Sequence, residues 1–167
     1  YSSGANMLVM GTMRAFLPVD SWTDFPRTAL FNPIGMRSAV FETDPAGTFM
    51  GPSWLSATAR DWARFGLLIQ QKGLWDGEQV LPVGWVDTMM EPVAASNGRY
   101  GKGNIWLETG SKVPPDTLWV LGHDGQSTAI VPSLELIVVR MGMTNPQDIY
   151  DREDLLAAVI AALPQDG

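Results

Sequence analysis

Between Leu118 and Met141 the sequence sets short apolar runs against turn residues, which leaves few choices of fold. Leu118 to Leu121, Thr128 to Val131 and Leu136 to Met141 read as three extended segments. "PSLE", with Pro132 and Ser133, supplies the hairpin turn joining the last two. "DREDLLAAVIAAL" (Asp151 to Leu163) then reads as an amphipathic helix. Asp151 is its cap, Asp154 holds the capping-box position, and Leu155, Leu156, Val159, Ile160 and Leu163 supply its apolar face. Antiparallel strands followed by a covering helix predict an α+β layer.

The first 95 residues read as mostly helical. "GANMLVMGTMRAFL" (Gly4 to Leu17) places apolar residues at Met7, Leu8, Met10 and Met13, the pattern of a buried helix interrupted by Gly11, with methionine as core filler. "DFPRTALFNPIGM" supplies a second short helix that Asn32-Pro33 and Gly35 stop. Phe41 to Trp54 reads as a polar loop punctuated by proline and glycine. The clearest helix runs from Ser56 to Gly73. Thr58 and Asp61 give it a capping-box-like start, Trp62, Phe65, Leu68 and Ile69 form one stripe, and Gly73 ends it. An Asp76-Gly77 turn, a short extended piece and a helix begun after Pro82 follow. "NGRYGKGNIWLE" reads as a glycine-rich loop entering a strand at Ile105 to Leu107.

A length of 167 residues with 46% apolar content suits a single packed core. The formal charge of −7 argues against nucleic acid or an anionic membrane surface as partner, since both demand a basic stripe. No apolar run approaches the roughly 20 residues that span a bilayer. The absence of cysteine removes disulfides and thiolate metal sites, and it leaves the compartment open. The chain starts at Tyr1 within a turn that runs directly into an apolar helix, as expected of a piece of a longer protein.

Several chemistries can be weighed on residues alone. One histidine, His123, cannot build a metal site without help, and its neighbour Asp124 should project away from it, so no metal is expected. "GRYGKG" has glycines at 98, 101 and 103 but no strand–loop–helix context and no GK[ST], which leaves a flexible loop. Seven tryptophans could form a sugar-binding platform, yet Trp62 lies on a core stripe and Trp106 and Trp119 lie in strand-like runs. His123 stands between Gly122 and Gly125 at a strand end, where it is either a turn residue or a proton carrier near neutral pH. Gly125 would let a ligand approach the backbone, and the Gln126 N–H could donate to a developing oxyanion.

Read in order, three stretches resemble the C-terminal part of the serine β-lactamase-like family, in its class C β-lactamase, esterase and D-amino-peptidase branch. "YSSG" is similar to the family's Tyr-x-Asn motif, and "GHDGQ" to its Lys-Thr-Gly motif in the His-x-Gly form. "SATARDWARFGLLIQQKGLWDGEQVLPVGWV" is similar to the helix and segment between them. The resemblance implies a β-lactamase/transpeptidase-like fold, with residues 1–95 in its helical region and 96–167 carrying strands and the last helix. It also implies an acyl-enzyme mechanism without cofactor. A serine of a Ser-x-x-Lys motif attacks an ester, amide or peptide carbonyl. Tyr1 then manages protons, which requires a cationic neighbour because free tyrosine titrates near 10. His123 contacts substrate, the Gln126 N–H serves the oxyanion hole, and Ser3, Asp124 and Gly125 line the substrate site.

Three departures qualify that expectation. None of the ten serines is followed three residues on by lysine, so the nucleophile belongs to a portion preceding Tyr1 that completes the site. Ser3 stands where the motif has asparagine. His123 stands where it has lysine, removing the permanent charge that attracts a β-lactam carboxylate, which favours esters and amides. The alternative is a non-catalytic peptide- or glycan-binding protein on the same fold. The site of action in the cell is not legible in these residues.

Overall fold

The computed structural model describes residues 2–144 and 150–164, the side chains of 19 and 20 excepted. The chain divides into two compact units, residues 1–85 and 86–167, with the division in the first turn of a short helix, α4 (Trp85–Met90).

The first unit opens with helix α1 (Ser3–Phe16), capped by the Ser2 hydroxyl, which accepts from the Ala5 N–H at 3.1 Å. Two features differ from the sequence reading. Gly11 does not interrupt the helix, because one glycine costs only about 1 kcal/mol against alanine. Nor is α1 buried. Leu8 is 74% and Phe16 83% exposed, and Met7, Met10 and Met13 are half-buried. Apolar periodicity states which face wants cover, not whether the chain supplies it. Met10 does find a partner, packing so closely on Gly51 that a Cβ there would sit 2.5 Å from its Cγ.

A short helix α2 (Val19–Trp22) leads to a π-type turn over Arg27–Phe31, where the Asn32 N–H reaches back to the Arg27 carbonyl at 2.8 Å. Gly35, at φ 71°, ends the segment. The 41–54 stretch is more ordered than a free loop. Its flanks pair as antiparallel strands β1 (Val40–Phe41) and β2 (Leu55–Ser56), and an inner bridge joins Thr43 to Phe49. Helix α3 (Ala59–Gln70) starts three residues later than the sequence suggested, because Ser56 belongs to β2. Its cap is Thr58, whose hydroxyl accepts from the Asp61 N–H. Leu68 and Ile69 are buried, with Trp62 and Phe65 half-buried beside them. Leu68 joins Phe31, Ile34, Met36 and Ala39 in the core of this unit. Strands β3 (Leu74–Trp75) and β4 (Glu78–Gln79) form a hairpin whose turn residues, Asp76 (φ 49°) and Gly77 (φ 85°), adopt the left-handed pair favoured in tight hairpins.

The second unit is built on the three-stranded antiparallel sheet β5 (Leu118–Leu121), β6 (Ser127–Val131) and β7 (Leu136–Arg140), in that order. Every residue of the central strand β6 is buried. Helix α5 (Arg152–Ala161) lays Leu156 on one face, against Trp119, Ala129, Val131 and Val113. Full burial of such a leucine is worth roughly 1.5–3 kcal/mol. Leu155 turns outward at 37% exposure and so lies off the apolar face. Asp151 caps α5 through the Glu153 N–H at 2.8 Å. Asp154 does not complete a capping box: its carboxylate pairs with Lys112 at 2.7 Å. The expected strand at 105–107 contracts to isolated bridges at Trp106, which pairs with Tyr100 on one side and with Trp119, on the edge of β5, on the other. The preceding glycines have a packing reason. A Cβ at Gly101 would fall 2.0 Å from the Met89 carbonyl oxygen, and one at Gly103 2.6 Å from Met89 Cγ.

Candidate functional site

The β5–β6 hairpin closes through Gly122 to Gln126. The Gly122 N–H donates to the Gln126 carbonyl at 2.8 Å, and the Gln126 N–H donates to the His123 carbonyl at 3.2 Å. Between these bonds Asp124 (φ 54°, ψ 35°) and Gly125 (φ 75°) are both left-handed, as a type I′ turn requires. An Asp-Gly pair is the sequence suited to that geometry, which explains why the histidine has glycine close by. The His123 side chain is 92% exposed, and its Nε2 lies 3.1 Å from Asp124 Oδ1. The expectation that Asp124 points away from His123 is thereby corrected: the left-handed backbone at Asp124 swings its carboxylate back toward the ring.

The turn is held from the neighbouring strand, β7. Pairing of β6 with β7 sets Arg140 opposite Ser127, at the mouth of the hairpin. Arg140 Nη1 donates to the Gly125 carbonyl at 2.9 Å and lies 3.3 Å from that of Asp124. Arg140 Nη2 donates to Thr144 Oγ1 at 2.7 Å, while the Thr144 N–H donates to the Asp124 carbonyl at 3.0 Å. The guanidinium sits 4.1 Å from the centre of the Tyr150 ring. A Cβ on Gly125 would meet Arg140 Nη1 and Thr144 Oγ1, each at 3.0 Å. On this side, the space that glycine opens is filled by the protein's own side chains.

A cavity of about 260 Å³ adjoins the turn, bounded by Gly122, Gly125, Gln126 and Ser127 and by Tyr150 and Arg152. The Tyr150 hydroxyl and Arg152 Nε are buried and find no hydrogen-bond partner among the described residues. The Arg152 guanidinium lies 5.1 Å from the centre of the Trp119 ring.

The remaining site candidates fall in the first unit. Ser3 is the first residue of α1 and is exposed. Tyr1 lies outside the described residues. Among the described residues, no group of three or more His, Cys, Asp or Glu could hold a metal ion. No described helix is long and apolar enough to cross a membrane.

One buried carboxylate in the first unit belongs to structure rather than to a reaction. Asp61, only 3% exposed, accepts from the Ser38 hydroxyl (2.6 Å), the Ser38 N–H (2.8 Å) and Arg64 (2.7 Å). Burial pushes its pKa up, but the Ser38 hydrogen bonds and Arg64 together outweigh burial and hold it below the usual carboxylate value. On the second unit, the Asp151 and Asp154 carboxylates raise the pKa of the exposed Lys112 ammonium, and Lys112 in turn lowers that of Asp151.

The sheet, its covering helix and the helical unit before them give an α+β chain with the β-lactamase-like fold. It superposes on a Bacillus anthracis protein provisionally named a 6-aminohexanoate-dimer hydrolase, with a TM-score of 0.73 and 24% identity, over 99% of this chain and 45% of that one. It also superposes on a Bacteroides dorei DSM 17855 protein provisionally named a beta-lactamase, with a TM-score of 0.57 and 19% identity, over 81% of this chain and 49% of that one. The chain therefore spans less than half the length of either. No protein-family model and no curated protein sequence matches it.

Proposed function

We propose that this chain is the C-terminal part of a serine hydrolase that cleaves an ester or amide through an acyl-enzyme, the nucleophile being supplied by sequence preceding Tyr1. The observation that carries this reading is the half-buried His123-Asp124-Gly125-Gln126 turn, with the His123 side chain exposed, on the β5–β6 hairpin of a β-lactamase-like fold. The Gln126 N–H suits the oxyanion role. Its present bond to His123 is 3.2 Å, at the long limit for N–H···O. A full negative charge on a tetrahedral intermediate would compete for that donor, because charge-assisted bonds are about twice as strong. The His123 side chain, solvent-facing with its Nε2 3.1 Å from Asp124 Oδ1, is placed to contact substrate or carry a proton. Tyr1 is assigned proton transfer with the serine and lysine of the upstream motif.

The missing lysine charge and the named neighbour both support an ester or amide substrate. Histidine at the third motif disfavours dependence on a substrate carboxylate, and 6-aminohexanoate dimer is a linear amide. The test is made on the longer protein that contains this chain. It should label covalently with a serine-directed fluorophosphonate and hydrolyse p-nitrophenyl butyrate or a 6-aminohexanoate dimer. A protein that neither labels nor turns over esters, linear amides or β-lactams refutes the enzyme reading and favours a peptide- or glycan-binding protein on this fold.

A further inference from the structure

We infer that Arg140 is a positioning residue for the Gln126 amide donor, an inference that rests on the hydrolase reading for its catalytic consequence but not for its geometry. The Gly125 carbonyl and the Gln126 N–H belong to one peptide unit, planar and trans, so they point in opposite directions. Arg140 Nη1 grips the carbonyl end at 2.9 Å. Fixing that end fixes the direction in which the N–H points on the other side. A cation bonded to an amide oxygen also draws electron density from the nitrogen, so the same contact makes the N–H a stronger donor.

Arg140 is itself held so that it can do this. Its second terminal nitrogen is bonded to Thr144 Oγ1, its guanidinium plane lies over Tyr150, and it leaves β7 directly opposite the start of β6. Thr144 adds an independent grip on the neighbouring peptide through the Asp124 carbonyl. Both peptide units flanking the left-handed Gly125 are thus tied by their carbonyls, and neither tie uses a catalytic side chain. The Gly125 requirement follows from the same arrangement, since a Cβ would press on the guanidinium at 3.0 Å. The fork geometry matters: a lysine could reach one carbonyl but could not also bond Thr144 and stack on the ring.

The experiment uses the longer protein with ¹⁵N-glutamine labelling, and compares wild type with R140A, R140K and T144V. The Gln126 amide resonance should shift and exchange faster in R140A, less so in R140K and T144V. Kinetically, kcat per fluorophosphonate-titrated site on p-nitrophenyl butyrate should fall about 10–100-fold in R140A, with KM within a few-fold. R140K should recover part of the loss and T144V should lose only a few-fold. Affinity for phenylboronic acid, which forms a tetrahedral serine adduct, should fall in parallel with kcat/KM. A purely structural arginine would lower Tm and the titratable fraction, yet leave kcat per titrated site unchanged. That outcome, or an unmoved Gln126 resonance in R140A, overturns the inference. If wild type neither labels nor turns over, the hydrolase reading fails, and the Gln126 resonance still decides the positioning role.

Discussion

Asp61→Asn offers a sharp test of how the first unit is held together. The Asp61 carboxylate accepts two bonds from Ser38 and one from Arg64, while the Ser38 hydroxyl also accepts from the Thr58 N–H at 2.9 Å. The node therefore ties the turn after Met36 to the cap of α3. Asparagine keeps the shape but offers one acceptor oxygen, so at least one of the Ser38 or Arg64 donors must face an NH₂ group. Hydrogen bonds to charged groups are worth about 1.5–3 kcal/mol each, and a buried donor left unsatisfied costs about 1–3 kcal/mol. The Arg64 side chain is 42% exposed, which limits that pair to under about 1 kcal/mol. A total loss of about 3 kcal/mol is expected, or about 6–12 °C in Tm at this chain length.

The pH dependence has a definite sign. Because the folded-state pKa of Asp61 is lowered, its stabilisation is fully present above the unfolded value near 3.9 and is lost as pH falls through the lower folded value. Differential scanning calorimetry of wild type and D61N should show a wide gap at pH 7 that closes below about pH 4, other titrating acids being common to both proteins. A Tm difference at pH 7 smaller than about 2 °C, or a gap that persists unchanged at pH 2.5, would refute the reasoning.

Three further outcomes are expected. His123→Ala in the longer protein should leave Tm unchanged, because the side chain is almost wholly exposed, while kcat/KM falls by about 10²-fold if the ring transfers a proton; lost stability with unchanged kinetics would return it to a turn residue. Gly125→Ala should destabilise by about 1–3 kcal/mol in urea unfolding, from left-handed strain and the approach of Arg140. Leu156→Ala should cost about 2–5 kcal/mol in the same assay by opening a void between α5 and the sheet.

What could be read in the sequence was local and repetitive. The Asp76-Gly77 turn, the three strands of the sheet and the caps Thr58 and Asp151 all follow from turn chemistry or short-range periodicity, and the structure contains them. The exposure of α1 was not legible, because Leu8 and Phe16 carry the same signal whether or not something packs on them. Asp61 was read as a capping partner because its true partner, Ser38, lies 23 residues away. At the candidate site His123 and Gln126 stood out through their motif, whereas Arg140 did not. The partners that tie it to the turn are backbone carbonyls 15 and 16 residues upstream, and carbonyls carry no side-chain signature.

The tight turn at Asp124-Gly125 also sets how this hairpin can be altered. Every single-nucleotide change at a glycine codon that yields another amino acid adds a Cβ, so position 125 has no neighbouring sequence that spares the guanidinium. His123 is different, since its side chain projects into solvent with little packing to disturb. A library meant to retune substrate preference should therefore randomise position 123, hold 125 and 140 fixed, and admit only asparagine or glycine at 124, where the backbone is left-handed. Variants recovered with changes at both 125 and 140 would mark a turn rebuilt from scratch.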